Sequence, residues 1–218
     1  MGKIIITYWP IRGVAHSIQW LCEQGKVQYE MRAMNPALWK TEKATLDMDF
    51  PNLPHLQDGS VRMSESNAIL KYIAKKCGMM PETEQEIIAS DVAEGVMGDM
   101  RGYFRQLVFT PTYDTDKLKY PELVKAKLAL FDKLLGKRPF LAGDRVTWLD
   151  FVLYESVDVN SLFVPGILDD FSNVLEFKAR IESLDGIAAY RESGRFKAWP
   201  VTAGPANWGK VEGETIHD

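Results

Sequence analysis

Tyr8 closes a short run, Ile4-Ile5-Ile6-Thr7-Tyr8, whose β-branched and aromatic residues mark a buried strand. Trp9-Pro10-Ile11-Arg12-Gly13 follows it, and the helical spacing of Val14, Ile18, Leu21 and Cys22 begins directly afterwards. A phenol between a strand and a helix can serve as a hydrogen-bond donor to an anion or simply pack at the strand end; alone it does not decide. Ser66 opens a second helical pattern, where free backbone N–H groups and the helix dipole favour an anion. Ser64-Glu65-Ser66 reads equally as a plain helix cap. His16, His55 and His217 share no ligand-like spacing, so no metal is assigned. Cys22 and Cys77 form neither a disulfide framework nor a C-x-x-C pair, which suits a reducing cytosol.

The elements that must hold these residues come in two styles. Val27-Gln28-Tyr29-Glu30-Met31 alternates as a strand should. Leu53 to Met63 reads as a hairpin turning at Asp58-Gly59, and Ser66 to Lys76 as a helix with Ala68, Ile69, Tyr72 and Ile73 at helical spacing. The order β-α-β, β-β-α is a small α/β layer. Gly78-Met79-Met80-Pro81 breaks the pattern, and Thr83-x-x-Glu86 is a capping box that opens a long helix through Ile88, Val92, Val96, Met100, Phe104 and Leu107. Helical patterns follow at 121–135, 149–160, 173–183 and 186–193, with Thr147-x-x-Asp150 capping the second of them. We read an α/β domain over 1–82 and an all-α domain over 83–218.

Hydrophobic residues make up 46% and charged residues 26%, as a packed core requires. The net charge of −4 without a long basic run argues against nucleic acid or an anionic membrane as main partner. No stretch approaches the roughly 18 apolar residues of a membrane span. The run after Met1-Gly2 is too short for a signal-peptide core and lacks the Ser or Thr of a myristoylation site, so a cytoplasmic protein is expected.

Three motifs in order carry a resemblance: Tyr8-Trp9-Pro10-Ile11-Arg12-Gly13, Asp49-Phe50-Pro51-Asn52-Leu53-Pro54 and Ser66-Asn67-Ala68-Ile69-Leu70. Together they resemble the glutathione S-transferases of the mu class. The likeness continues through Gly136-Lys137-Arg138-Pro139, Ala142-Gly143-Asp144 and Thr147-x-x-Asp150-Phe151 to Ala198-Trp199-Pro200. In the short segment between Tyr29 and Trp39, and in that tail, the chain is similar to the mu-like enzymes of parasitic flatworms.

The resemblance implies a thioredoxin-like N-terminal domain, an all-helical C-terminal domain, and conjugation of the glutathione thiolate to hydrophobic electrophiles. Glutathione would be a co-substrate, with no tightly bound cofactor. Tyr8 would be the catalytic donor to sulfur. Ser66 would hold the γ-glutamyl carboxylate, and Glu65, where most members have glutamine, the ammonium. Leu53-Pro54 resembles the family's cis-proline turn, which offers the Leu53 backbone to the cysteinyl unit. Trp39 and Lys43 would take the glycyl end, with Trp9, Val14 and Asn52 as further contacts and Asp99 reaching the ammonium bound by a neighbouring subunit. The electrophile would lie between the domains against Trp9, Pro10, Val14, Gly102, Phe109, Trp199 and Thr202. Phe109 replaces a tyrosine typical of the class. Phe50 resembles the aromatic key of a homodimer. Two readings on the same fold compete: a non-catalytic carrier of large apolar ligands, and a specialised glutathione-dependent lipid isomerase.

Overall fold

The computed structural model describes residues 3–211; Met1, Gly2 and His217 lie outside them. The described residues form two compact units, one running to Gly78 and resuming at Ala189, the other spanning Met79–Ala188. Sequence reading grouped everything after residue 82 with the helical half. The tail belongs instead with the first unit, because the Arg12 and Gly13 N–H groups donate to the Pro200 and Val201 carbonyls at 2.9 and 3.0 Å. Tyr190 Oη adds a bond to Gln19 Oε1 at 2.9 Å, and Arg195 grips Glu23 through both terminal guanidinium nitrogens.

In the first unit β1 (Ile4–Tyr8) lies inside a four-stranded sheet of order β2-β1-β3-β4. It runs parallel to β2 (Tyr29–Ala33) and antiparallel to β3 (His55–Asp58), which pairs antiparallel with β4 (Val61–Ser64). A parallel pair needs a crossover, here α1 (His16–Gln24). Ile4, Ile6, Thr7 and Tyr8 are buried along β1, and α1 and α3 (Ser66–Cys77) pack on each other and bury Ile18, Leu21, Ile69 and Ile73. β2 starts two residues later than its alternation suggests, because the Val27 N–H is drawn to Cys22 O at 2.9 Å as α1 ends. The hairpin turns on Gly59, whose φ of +59° glycine adopts freely.

Sequence periodicity missed α2 (Pro36–Glu42), which is followed by one 3-10 turn, Lys43–Thr45. It buries no residue, so it has no apolar period to find. The available signal was Asn35-Pro36: Asn35 Oδ1 accepts from the Leu38 N–H at 2.9 Å, and proline suits the first helical position.

The second unit holds α4 (Glu84–Phe109), the short α5 (Tyr113–Asp116), α6 (Tyr120–Leu135), α7 (Trp148–Phe163) and α8 (Ser172–Glu182); α9 (Asp185–Glu192) begins there. Thr83 and Glu86 exchange the two bonds of a capping box at 3.2 and 3.1 Å. α7 is buried along most of its length and starts on a second box. Its Asp150 is fully buried and accepts from the N–H groups of Leu141 and Thr147 and from Thr147 Oγ1 at 2.7–3.0 Å. Burial pushes this carboxyl up to about 6 even so. Among the described residues no helix is long and apolar enough to cross a membrane.

Candidate functional site

Tyr8 is the last residue of β1 and is 7% exposed. The loop after it folds back over the phenol. Gly13 takes a φ of +43°, and a β-carbon there would stand 2.5 Å from Tyr8 Oη and 2.8 Å from Cε1. Glycine is therefore required twice, by the backbone angle and by the contact. The loop closes with the Val14 N–H donating to Tyr8 Oη at 3.3 Å. A phenolic oxygen that accepts a backbone bond is polarised and becomes a better donor through its own O–H. The tail keeps the loop in place: besides the bonds to Pro200 and Val201, Arg12 Nη1 donates to Ala198 O at 3.4 Å. Arg12 is 2% exposed, and its Nε donates to His16 Nδ1 at 3.0 Å. Sequence reading gave Arg12 no task beyond the motif, since its partners lie far along the chain.

A second cluster surrounds the start of α3. Asn52 Nδ2 donates to Glu65 Oε1 at 3.1 Å. Glu65 has a φ of +68°, a left-handed conformation that costs a non-glycine residue about 1–3 kcal/mol, in a position that carries it to Asn52. Ser66 is the first residue of α3, half-buried. The cap reading of Ser64-Glu65-Ser66 needs correction. Glu65, at the cap position, makes no side-chain capping bond, and Ser64 Oγ is spent on Phe50 O at 2.5 Å. The start of α3 thus keeps its dipole and first N–H groups without a side-chain cap from Glu65. Leu53, half-exposed, sits just before β3, and the Leu53–Pro54 bond is cis, as is Trp199–Pro200.

Trp39 lies on α2 and Lys43 begins the 3-10 turn behind it, its Nζ 5.7 Å from the indole centroid. α2 is tied to β2 by a forked ion pair, Arg32 to Glu42 at 2.5 and 2.7 Å, which holds the Glu42 carboxyl below its usual range.

In the second unit Asp99, Gly102 and Phe109 share one face of α4, spaced three and seven residues apart. Asp99 accepts from Lys127 Nζ at 2.7 Å, a partner sequence reading did not foresee. Gly102 has open space where a side chain would stand, and Phe109 is 49% exposed at the helix end.

Back in the first unit, Trp9, Pro10 and Trp199 line one cavity with Tyr8; Val14 and Thr202 are not on its wall. Thr202 is buried, and its hydroxyl donates to Trp208 O within the tail. The other reactive residue types are occupied structurally. Burial in α1 pushes the Cys22 thiol far up, so it supplies no thiolate. His16 is enclosed by Trp20 and Phe196, with ring centroids 4.4 and 5.7 Å away. Among the described residues no group of three His, Cys, Asp or Glu could hold a metal ion.

Comparison with known proteins shows the family of the chain. Residues 5–75 match the family model for the glutathione S-transferase N-terminal domain, and residues 98–194 that for the C-terminal domain. Glutathione S-transferase Mu 1 of Homo sapiens is 39% identical over 94% of this chain and 98% of its own length. Glutathione S-transferase Mu 2 of Pongo abelii is 40% identical over the same shares. Among solved structures, the glutathione S-transferase Blo t 8 superposes with a TM-score of 0.89 at 29% identity, covering 94% of this chain and 99% of its own. The Pi-class enzyme of Onchocerca volvulus gives 0.85 at 25%, over 94% and 100%.

Proposed function

The chain belongs to the mu-class glutathione S-transferases, and from that premise we propose how its residues carry the reaction, the addition of the glutathione thiolate to hydrophobic electrophiles. The observation that carries the reading is Tyr8, polarised by the Val14 N–H and covered by Gly13. A free thiol has a pKa near 8.5, so about two units must be removed for it to be anionic at neutral pH, or about 2.7 kcal/mol. One hydroxyl donating to a desolvated sulfur anion supplies roughly 1.5–3 kcal/mol. The proton leaves to solvent, and the thiolate forms the new carbon–sulfur bond as the leaving group departs with its electron pair.

The remaining contacts follow the charges of glutathione. Ser66 and the α3 N-terminus suit the γ-glutamyl carboxylate, and Glu65, oriented by Asn52, its ammonium. The Leu53 backbone would pair with the cysteinyl unit, and Trp39 and Lys43 would receive the glycyl carboxylate. Trp9 adds a contact beside Tyr8. Asp99, through exchange with Lys127, would reach the ammonium bound by a partner subunit. No tightly bound cofactor is needed, and a cytoplasmic setting suits two cysteines that are in no disulfide. The reading is tested by thiolate absorbance of the glutathione-bound protein against pH. A midpoint about two units below that of free glutathione is expected; the midpoint of the free thiol would exclude Tyr8 as activator and favour the carrier reading.

Phe109 brings its own expectation. Phe109 would face the electrophile, and phenylalanine cannot donate to the oxygen charge that grows as an epoxide opens. Phe109→Tyr should raise kcat/KM for an aryl epoxide by roughly tenfold and leave 1-chloro-2,4-dinitrobenzene nearly unchanged. Equal effects on both substrates would reduce Phe109 to pocket lining.

We also infer a homodimer. Phe50 is 77% exposed, an unusual state for so large an apolar residue, and along α4 Ile88 and Val92 are 56% and 65% exposed. Phe50→Ala should weaken association by about 3–5 kcal/mol if it fills an aromatic-sized pocket on the partner. Sedimentation velocity reads this directly, and a wild-type protein that is monomeric at micromolar concentration rules the dimer out.

A further inference from the structure

Thr7 alternates with Ile6 and Tyr8, so it lies on the face of the sheet opposite the Tyr8 phenol. The strand register extends that face into a row. Arg32 of β2 and His55 of β3 lie opposite Thr7, and Ser64 of β4 lies opposite His55. Arg32 and His55 are two strands apart, about 10 Å between backbones. α2 reaches this row with Glu42, the carboxylate that Arg32 forks.

Two atoms in the row are orphaned. Thr7 is 1% and His55 8% exposed, and neither Thr7 Oγ1 nor His55 Nε2 has a hydrogen-bond partner among the described residues. The charged groups that bear on the ring are Arg32 from β2 and Glu42 from α2. Burial and then Arg32 hold the imidazole below its ordinary range, against the pull of Glu42. A neutral imidazole carries one N–H, whereas the imidazolium carries two and a charge that needs a carboxylate. The carboxylate that bears on it is Glu42, and Arg32 takes both of its oxygens.

Little else fastens α2, since it buries no residue. Its approach is tied by the Met34 N–H, which donates to Tyr8 O at 2.9 Å, and its end by the Arg32–Glu42 fork. Trp39 stands three residues before Glu42, and Lys43 directly follows it. We propose that His55 is a positioning residue for the glycyl end of glutathione: neutral, it leaves Glu42 to Arg32 and α2 in place, and protonated, it draws Glu42 off Arg32 and loosens Trp39 and Lys43. The inference rests on the reading that Trp39 and Lys43 receive the glycyl carboxylate. Its sign follows from the buried ring. Docked α2 favours neutral His55, so docking is full above the ordinary histidine value of about 6.5 and is lost as pH falls through the lower docked value. Glu42 stays ionised meanwhile, because Arg32 holds its carboxyl below the usual range.

The test compares S-methylglutathione, which has no thiol proton, with γ-glutamyl-S-methylcysteine, the same ligand without glycine. Isothermal titration calorimetry gives both affinities, and their ratio is the advantage conferred by the glycyl end. Changes at Glu65 or Ser66, or loss of folded protein in acid, act on both ligands alike and cancel. The advantage should shrink by roughly three- to tenfold from about pH 7 to about pH 5, as the docked fraction of α2 falls. His55→Gln has no titrating ring and should hold the advantage constant over that range, and Glu42→Gln should lower it already at neutral pH. A wild-type advantage indifferent to pH, an equal decline in His55→Gln, or wild-type binding by Glu42→Gln at neutral pH overturns the proposal and leaves the Trp39 and Lys43 contacts standing. The lack of any advantage at neutral pH removes those contacts, and the proposal with them.

Discussion

Tyr8→Phe should raise the pKa of the bound glutathione thiol by about one to two units and lower turnover at neutral pH by about ten- to a hundredfold. The substitution removes one oxygen. The ring remains, and with it the packing of a residue only 7% exposed at the end of β1. Glutathione affinity should change little, because the proposed contacts to its two carboxylates and its ammonium come from α2, α3 and the residues before β3. The loss is therefore in the ionisation step, and the pH profile separates this from a folding defect. As pH rises above the free thiol's pKa the variant forms its own thiolate and the gap to wild type should narrow. A uniform deficit at every pH would point to misplacement of substrate, and a wild-type thiol midpoint in Tyr8→Phe would remove Tyr8 from the mechanism.

Local features of the chain foretold most of the elements because the interior is built from them. The run ending at Tyr8, the two capping boxes and the 3.6-residue period of α4, α6, α7 and α8 all lie within a few turns of sequence, and each is found close to where its pattern begins. Two kinds of feature escaped. α2 is amphipathic to nothing, since none of its residues is buried, and it is held by an ion pair between residues ten apart. The partnership between the Trp9–Val14 loop and the tail joins backbone groups nearly 190 positions apart, through carbonyls that have no sequence signature. The site shows the same division. Tyr8, Asn52, Glu65 and Ser66 could be named as candidates from motifs, whereas the bond orienting Glu65 and the Lys127 partner of Asp99 depend on distance in space.

Gly13→Ala should lower turnover and stability together. The new β-carbon would stand 2.5 Å from Tyr8 Oη, 2.8 Å from Cε1 and 3.1 Å from Cζ, all inside ordinary contact. A φ of +43° adds about 1 kcal/mol for any residue with a β-carbon. The loop has little freedom to yield, since the Gly13 N–H is bonded to Val201 O at 3.0 Å and the Arg12 N–H to Pro200 O at 2.9 Å. The phenol must therefore swing away, losing the Val14 N–H and, with it, the aim at the sulfur that we propose for it. A displacement of about 1 Å at a reacting centre costs on the order of a hundredfold, so turnover of 1-chloro-2,4-dinitrobenzene should fall at least that far. The bound thiol should titrate as it does in Tyr8→Phe. Urea unfolding of the variant should show a loss of about 1–3 kcal/mol, the range for overpacking, with the fold retained. The double variant Tyr8→Phe/Gly13→Ala supplies the decisive comparison. Removing Oη removes the closest of the three contacts, so the alanine should cost far less activity in that background than alone, a coupling that independent sites would not show. Additive losses, or a Gly13→Ala enzyme whose bound thiol titrates like wild type, would mean that Gly13 does not seat the tyrosine.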